Sequence, residues 1–241
     1  RLFLMLLIFE SSSYLHDIII FMNVNFLNCD CNIVNCGRKN MELDLEMLHN
    51  AISSSSEDMF VRFYNWSPKC ISLGKNQQME DFYKDMGIDL VRRPTGGRAL
   101  LHDMELTYCV VSPIKKGESV IQSYKEISDA LILGFKKLGI ELDYAGEHKG
   151  NMRYCMNISC GADVCYKGKK LIGSAQFRSY GYLLQHGSIL YDLDFDLVEK
   201  IFRQRVDRNS IALLNEINPD LTQKELICAL KEGFCEKFQT S

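Results

Sequence analysis

The spacing of apolar side chains predicts five helices in this sequence, all of them after residue 22. In three long segments apolar residues recur every three or four positions, which is typical of helices that bury one face. These segments are Asn40–Ile52, Glu118–Leu138 and Gln223–Phe238. Two shorter helices are predicted over Gln77–Met86 and Asp196–Phe202. Glycine follows Met86 and Leu138, as expected where a helix ends.

Short runs of β-branched and aromatic residues, bounded by turn residues, predict the strands. They are predicted over Met22–Leu27, Met59–Tyr64, Cys70–Leu73, Ile88–Arg93, Ala99–Leu101, Leu106–Ser112, Ala162–Tyr166, Lys170–Phe177 and Tyr182–Leu190. Strands outnumber helices, and the two types do not alternate regularly. The pattern therefore predicts an α/β (α+β) fold with a mixed, largely antiparallel sheet and helices packed on it. Neither G-x-G-x-x-G nor G-x-x-x-x-G-K-[ST] occurs.

Most of the chain is interpreted as one domain, residues 22–241. The 241 residues are 46% hydrophobic and 24% charged, an ordinary composition for a globular protein that buries a large core. Residues 1–21 contain no predicted element and are interpreted as a non-native or disordered extension. Their apolar run, residues 2–9, is far shorter than the roughly 18 residues of a membrane span. No signal-peptide cleavage site follows it.

The net charge and the cysteine content limit which binding partners and which cellular compartment are expected. The net charge of −3 gives the protein no overall positive field, so nucleic acid is not expected as a partner. No apolar span is present, so a membrane is not expected as a partner either. Ten cysteines in a chain of this length favour free thiols and hence a cytoplasmic location. Cys155, Cys160 and Cys165 are five residues apart, unlike the C-x2-4-C pairs of zinc sites, so no metal is expected.

Candidate chemistry is densest in the segment 92–103. Adjacent glycines let the backbone take positive φ and approach a ligand closely, and the arginines beside them suit phosphate or carboxylate. His102 offers a donor or a base. A simple strand, turn and strand with solvated arginines explains the same pattern. The substrate-binding candidates in this segment are Arg92, Thr95, Gly96, Gly97, Arg98 and His102.

A second group of candidates lies on the two strands after residue 168. Small residues in a strand permit a ligand to approach, which makes Gly173, Ser174 and Ala175 substrate-binding candidates. Lys170 precedes them; it is interpreted as an anchor for an oxyanion or as an exposed hairpin lysine that contributes little burial. On the next strand, His186 and Gly187 are further substrate-binding candidates. His186 is either a base or a hydrogen-bonded core histidine.

Cys155 is the candidate nucleophile. It ends a long polar loop predicted over residues 144–157, and long loops in compact domains are often functional. Lys149 and Arg153 stand close by in sequence, and neighbouring cations favour the reactive thiolate over the thiol. Cys160, five residues on, is a competing candidate.

Together these segments resemble the biotin/lipoate A/B protein ligase superfamily, and within it the stand-alone octanoyltransferases that use a cysteine nucleophile. The resemblance covers about residue 23 to the C-terminus. The matching segments, in order, are Asn40–Asp44, Val61–Trp66, Arg92–Arg98, His102–Tyr108, Gly168–Gln176 and Leu184–Leu190. Any one of these motifs alone is weak, but their joint order is specific.

The resemblance implies a mixed sheet with helices on it and an acyl chain bound beside the Gly-Gly loop. The family's catalytic cysteine precedes the hairpin lysine by fifteen residues, which assigns Cys155 when counted back from Lys170. In the family's C-F-x-x-x-S pattern, Met156 then replaces the phenylalanine and Cys160 replaces the serine, and Asp163 is the acidic residue that follows. By this resemblance Cys155 and Lys170 are the catalytic residues.

The implied reaction moves an octanoyl or lipoyl group from acyl carrier protein to Cys155 as a thioester. A lysine of a lipoyl domain, on glycine cleavage H protein or a dehydrogenase E2, then accepts it. Thiolate attack on a thioester needs no activation, so no cofactor is required. Residues 22–241 are then an acyltransferase catalytic domain in lipoate biosynthesis.

Two other functions remain open. An ATP- and Mg-dependent lipoate-protein ligase shares the Arg-Arg-x-x-Gly-Gly segment and the strand lysine, but usually has a third glycine where this chain has Arg98. A non-catalytic lipoyl-carrier binding protein is the alternative outside enzymes, and the presence of both Cys155 and Lys170 disfavours it. A biotin ligase is disfavoured because its Gly-Arg-Gly-Arg-type loop is missing.

Overall fold

The structure is a computed structural model, and it describes residues 22–27, 29, 33–145 and 163–239. Eleven strands and five α-helices are formed within those residues. The strands are β1 Val24–Phe26, β2 Val34–Asn35, β3 Met59–Trp66, β4 Cys70–Leu73, β5 Asp89–Arg92, β6 Leu100–His102, β7 Glu105–Pro113, β8 Asp143–Tyr144, β9 Val164–Tyr166, β10 Lys169–Ser179 and β11 Tyr182–Leu190. The helices are α1 Gly37–Ser54, α2 Val120–Lys137, α3 Phe195–Phe202, α4 Leu214–Ile217 and α5 Gln223–Gln239.

The strands form one large sheet and one small sheet. The large sheet has the order β1-β3-β7-β11-β10-β9-β8, and β2 also pairs with β3. Strands β1 and β2 run parallel to β3, and every other pairing in this sheet is antiparallel. The small sheet has the order β5-β4-β6, with a parallel and an antiparallel pair. The sheet is therefore mixed and largely antiparallel, as predicted.

Hairpin geometry positions the two strands that line the site. Between β9 and β10, Lys167 and Gly168 both have positive φ, 49° and 79°. Two positive φ values in succession define the tight turn whose twist matches antiparallel strands. Between β10 and β11, Tyr180 and Gly181 repeat the same geometry. These turns fix the register, and Ser174 consequently lies opposite Gly187.

Helices cover both faces of the large sheet. Helices α2 and α5 pack against one face, with Phe63, Ile127 and Phe234 in the same core cluster. The two helices approach closely at Gly134 and Gly233, where an added Cβ on Gly233 would lie 2.5 Å from the Gly134 nitrogen. A second cluster of buried side chains joins α1 to the sheet, and a third joins α3 to the small sheet. None of the helices in the described ranges is both long and apolar enough to cross a membrane.

The observed elements follow the predicted ones closely, with small departures. The helix predicted over Gln77–Met86 is a 3₁₀ helix over Asp81–Met86. Strands β2 and β8 and helix α4 were not predicted, because each has only two to four residues and shows no period. The extension 1–21 and most of the predicted loop 144–157, residues 146–157, lie outside the described residues.

Candidate active site

A cleft opens where the large sheet, the small sheet and α1 meet. The empty space in it is about 440 Å³ when the open solvent at its mouth is included. Its lining is Met41, Tyr64, Trp66, Ser72, Arg93, Leu100, His102, Thr107, Gly173, Ser174, Ala175, His186, Gly187 and Ser188. Six of the predicted binding residues are therefore brought together here: His102, Gly173, Ser174, Ala175, His186 and Gly187. The cleft combines apolar walls with a polar group of side chains at one end.

Glu105, at the start of β7, organises the polar end of the cleft. Its Oε1 accepts hydrogen bonds of 2.7 Å from His102 Nδ1, Thr107 Oγ1 and Ser188 Oγ. Burial by itself raises the pKa of Glu105, but His102 and these hydrogen bonds outweigh burial and lower the pKa below its usual value. The carboxylate is therefore ionised at neutral pH. It holds three lining side chains in fixed orientations.

His102 links this carboxylate to both sheets. Its Nε2 lies 2.7 Å from the hydroxyl of Ser72 on β4. Its ring stacks on the indole of Trp66, with centroids 3.8 Å apart and planes 13° apart. The indole Nε1 donates to Thr107, which closes the network. His102 therefore presents a ring whose position is set from two sides.

Replacing Glu105 with glutamine is expected to lower stability at pH 7 and to lower it less at pH 3.5. Because its folded pKa lies below the unfolded value of about 4.3, the carboxylate contributes stability above that pH. This contribution is lost as pH falls through the folded pKa. Loss of a hydrogen bond to a charged group typically costs about 1.5–3 kcal/mol. Urea unfolding of the variant and the wild type at pH 7 and pH 3.5 measures the difference in stability.

Asp103→Asn is the matched control for this prediction. Asp103 is the nearby carboxylate, and it pairs with Lys69 at 2.8 Å near the surface, with side-chain exposures of 28% and 41%. Exposed pairs contribute only about 0–1 kcal/mol, so this substitution should change little at either pH. An equal stability loss in Glu105→Gln at pH 7 and pH 3.5 would contradict a charge-based role.

A second buried network forms the wall beside α1. Asp44 accepts hydrogen bonds from Arg62 Nη1 at 2.6 Å and from the Tyr64 hydroxyl at 2.9 Å. His186 Nδ1 lies 3.0 Å from Asp44 Oδ2, and its Nε2 lies 2.7 Å from Thr95 Oγ1. Burial lowers the pKa of His186 even though Asp44 opposes this effect.

The hydrogen-bond partners of the neutral His186 ring determine which of its two nitrogens carries the proton. Burial raises the pKa of Asp44, but His186 and Arg62 reverse this shift and keep the carboxylate ionised. An ionised carboxylate only accepts, so Nδ1 of His186 donates to it. Nε2 accepts from the hydroxyl of Thr95. The histidine thus attaches the loop containing Thr95 to the cleft wall, which supports the hydrogen-bonded interpretation over that of a base.

The same wall contains the closest grouping of metal-ligand atoms among the described residues. One ligand atom each from Asp44, Cys109 and His186 lies within 4.8 Å of the others. Arg62, however, already neutralises Asp44, and burial raises the pKa of the Cys109 thiol well above its usual value. A protonated thiol beside a guanidinium is a poor cation site. The cluster is better explained as a hydrogen-bonded wall.

The arginine-rich segment binds its own backbone. Arg93, 6% exposed, donates through Nε and Nη2 to Gly96 O, through Nη2 to Arg98 O and through Nη1 to Ser72. Arg92 donates through Nη1 to the carbonyls of residues 74, 75 and 77. Both guanidinium groups therefore shape loops. Arg92, Thr95, Gly96, Gly97 and Arg98 lie next to the cleft and are not part of its lining.

Two glycines fit positions where a side chain has no room. Gly97 has φ of 95°, and a Cβ there would lie 2.7 Å from Arg93 Nη2. A Cβ on Gly187 would lie 2.6 Å from both Ser174 Oγ and Tyr108 Cε1. The Tyr108 hydroxyl lies 2.7 Å from Ser174 Oγ and accepts from Gln185. Gly187 therefore lets β10 and β7 side chains meet at the cleft wall.

Lys170 lies on the same strand as the small residues of the cleft, before Gly173. It is buried rather than exposed as predicted for a hairpin-edge lysine, because its ammonium pairs with Asp163. Lys170 Nζ and Asp163 Oδ2 are 2.8 Å apart, and the two side chains are 4% and 3% exposed. The two candidate nucleophiles, Cys155 and Cys160, lie outside the described residues.

Several site residues were not found from the sequence. Asp44, Arg62 and Glu105 are charged residues inside apolar segments, and Arg93 was expected to suit phosphate or carboxylate rather than its own loop. A charge at a position whose neighbours are buried is an available signal, because buried charges require partners. The partners themselves are far apart in sequence, and no local pattern identifies them.

The sequence pattern of the lipoyl protein ligase A/B catalytic domain matches residues 37–235, and the chain belongs to that family. Octanoyltransferase LipM of Staphylococcus epidermidis is 35% identical over 235 residues, covering 84% of this chain and 85% of that protein. Octanoyltransferase LipM of Bacillus subtilis is 34% identical over 81% of this chain and 80% of that protein. The resemblance seen in the motifs is thereby confirmed.

Solved structures confirm the fold. A lipoate-protein ligase A bound with ATP has a TM-score of 0.69 at 22% identity, covering 90% of this chain and 85% of that one. A structure from the analysis of a bi-partite lipoate protein ligase and its E2 lipoyl domain from Thermoplasma acidophilum has a TM-score of 0.65 at 24% identity. It covers 90% of this chain and 84% of that one. At these identities the likeness concerns the arrangement of strands and helices alone.

Proposed function

We propose that this chain is an acyltransferase of lipoate biosynthesis that moves an octanoyl group from octanoyl-acyl carrier protein to a lysine of a lipoyl domain. The observation that supports this most directly is the 35% identity to an octanoyltransferase over 84% of the chain. The cleft agrees with it, because Met41, Trp66 and Leu100 offer an octanoyl chain apolar walls. Lipoyl domains as acceptors agree with the family and with the E2 lipoyl domain of the related Thermoplasma acidophilum ligase.

The proposed chemistry has two acyl-transfer steps. The thiolate of Cys155 attacks the carbonyl carbon of the donor thioester, a carbon–sulfur bond forms on the enzyme, and the carrier thiolate leaves. The lysine amine of the lipoyl domain then attacks the enzyme thioester. An amide forms, the Cys155 thiolate leaves, and the amine loses a proton to solvent or to that thiolate.

Lys170 contributes charge to these steps. Each attack turns a carbonyl oxygen into an oxyanion, and a fixed cation nearby stabilises it more than it stabilises the neutral carbonyl. The Gly173–Ala175 stretch, three positions along the strand from Lys170, lines the cleft that would hold the acyl chain. The positive charges of Arg92, Lys167 and Lys169 would attract an acceptor protein with an acidic surface. A cytoplasmic location fits a reaction between two carrier proteins.

Octanoyl transfer from the carrier protein to a lipoyl domain is expected to proceed without nucleotide or Mg²⁺, because a thioester is already an activated acyl donor. Intact-mass spectrometry of the lipoyl domain measures the product, with and without ATP. Free octanoate or lipoate with ATP should give little product. Efficient ATP–pyrophosphate exchange driven by lipoate would instead establish an ATP-dependent ligase, and no product from either donor would favour a binding protein.

A further inference from the structure

We infer that Asp163 is a positioning residue that keeps Lys170 protonated and immobile, so that Lys170 acts as a fixed cation and not as a base. This inference rests on the proposed function for its catalytic meaning. The pairing itself rests on geometry alone. The ammonium and the carboxylate are 2.8 Å apart with both side chains almost fully buried.

The backbone that bears Lys170 is held from both sides. On one side Lys170 pairs with Cys165 of β9, and the register shifts by one residue before Ile172 pairs with Val164. A shift of this kind redirects side chains relative to a regular strand. On the other side Lys170 forms a parallel bridge to Ile211, and its carbonyl accepts from Ala212 at 2.9 Å. The backbone that carries the Lys170 side chain is therefore restrained on both sides.

The Asp163 carboxylate favours the charged form of Lys170. A buried ammonium without a partner favours its neutral form, since burial penalises the charged state. With Asp163 in contact, the proton is held by the opposite charge, and the lysine is poorly suited to accept another proton from a thiol or an amine. A base must spend part of its time neutral. A paired, buried ammonium instead supplies constant positive charge, which an oxyanion requires.

Lys170 precedes Gly173, which lines the cleft, by three residues on β10. Burial raises the pKa of Tyr108 to about 12, and the negative charge of Asp163 adds to that rise. The Tyr108 hydroxyl contacts Ser174, which lines the cleft. Asp163 is thus an electrostatic neighbour of the cleft wall, although it does not line the cleft itself. Its effect on substrate passes through Lys170.

The experiment compares Asp163→Asn with Asp163→Glu and with Asp129→Asn. Asp129 pairs with Lys237 at 2.8 Å in a half-exposed position on α2 and serves as the matched control. Octanoyl transfer is measured from pH 5.5 to 9. Separately, the ¹³Cε chemical shift of Lys170 is followed in lysine-labelled protein, with the signal assigned by its loss in Lys170→Met. The shift reports the charge of the amine whether or not the protein is active.

Asp163→Asn is expected to slow transfer by about 10²-fold at pH 8, the scale for losing one oriented charge. The deficit should shrink as pH falls, because acid restores the proton to an amine that has lost this carboxylate. The Lys170 signal should report a neutral amine at pH 8 in this variant and an ammonium in the wild type. Asp163→Glu should retain the ammonium signal, and Asp129→Asn should match the wild type in both measurements.

An equal deficit at every pH, with an unchanged Lys170 signal, would overturn the inference and leave Asp163 a purely structural role. If Asp163→Asn does not fold, the double variant Asp163→Asn/Lys170→Met, which buries no charge, should fold; its failure would also overturn the inference. If the wild type transfers no octanoyl group, the proposed function fails, while the Lys170 signal still decides the pairing.

Discussion

Replacing Cys155 with alanine is expected to abolish both octanoyl transfer and the thioester adduct that precedes it. In the proposed reaction the acyl group passes through the Cys155 thiol, so a variant without that thiol has no group to receive it from the carrier. The adduct should be detected by intact mass after incubation with octanoyl-carrier protein and should be removed by hydroxylamine. Cys155→Ser should be nearly as inactive, since a hydroxyl without a strong adjacent base is a far poorer nucleophile.

Cys160→Ser is the control for this assignment. Cys160 is only five residues away, and the family pattern has serine at its position, so this variant should retain most of the activity. The assignment of Cys155 depends on counting back from Lys170, and both cysteines lie in a stretch outside the described residues. Peptide mapping that finds the octanoyl group on Cys160, together with an active Cys155→Ala variant, would show that the count is wrong.

Replacing Lys170 with alanine is expected to reduce both the transfer rate and the stability. Loss of one oriented charge slows catalysis by about 10²-fold or more. The substitution also leaves Asp163 as a buried carboxylate without its ion-pair partner, and breaking a buried pair costs about 3–5 kcal/mol. If Lys170 were the exposed hairpin lysine expected from the sequence, its replacement would cause no loss of stability. Transfer kinetics and urea unfolding measure the two effects separately.

Two further variants separate rate from stability. Lys170→Met in the Asp163→Asn background removes both charges and keeps the volume, so stability should recover while transfer stays slow. Lys170→Arg should not restore the rate, because the planar guanidinium cannot occupy the space of a compact ammonium. Wild-type transfer in Lys170→Ala would exclude the lysine from the reaction.

Much of the fold follows from local patterns. Strand β4 was predicted with the observed bounds, Cys70–Leu73, because four consecutive apolar or small residues stand between turns. Helix α2 was predicted over Glu118–Leu138 and spans Val120–Lys137, since its apolar stripe and the stop at Gly139 are both local signals. The pairing of strands that are far apart, such as β1 with β3, has no local signal. Neither the local patterns nor the resemblance to the family specified which strands pair.

The site was predictable to a similar degree. Motifs identified the small residues of β10 and the pair His186–Gly187, which do line the cleft. They did not reveal that Arg93 would bind its own loop, or that Lys170 would be buried with Asp163. In both cases the role of the side chain depends on its bonding partner. A side chain that binds a ligand and one that binds the protein's own backbone can occur in the same sequence pattern.

The bridge between Lys170 and Ile211 also constrains how the protein is made. Synthesis proceeds from the N-terminus, and domains generally fold as they emerge from the ribosome. The strands that line the cleft are complete once Leu190 has emerged, but Lys170 gains its second backbone neighbour only when Ile211 and Ala212 follow. Because Leu226 and Phe234 of α5 also belong to the core that packs on the large sheet, the cleft and the backbone support of Lys170 form together once that helix has been made. Catalytic competence should arrive late in translation.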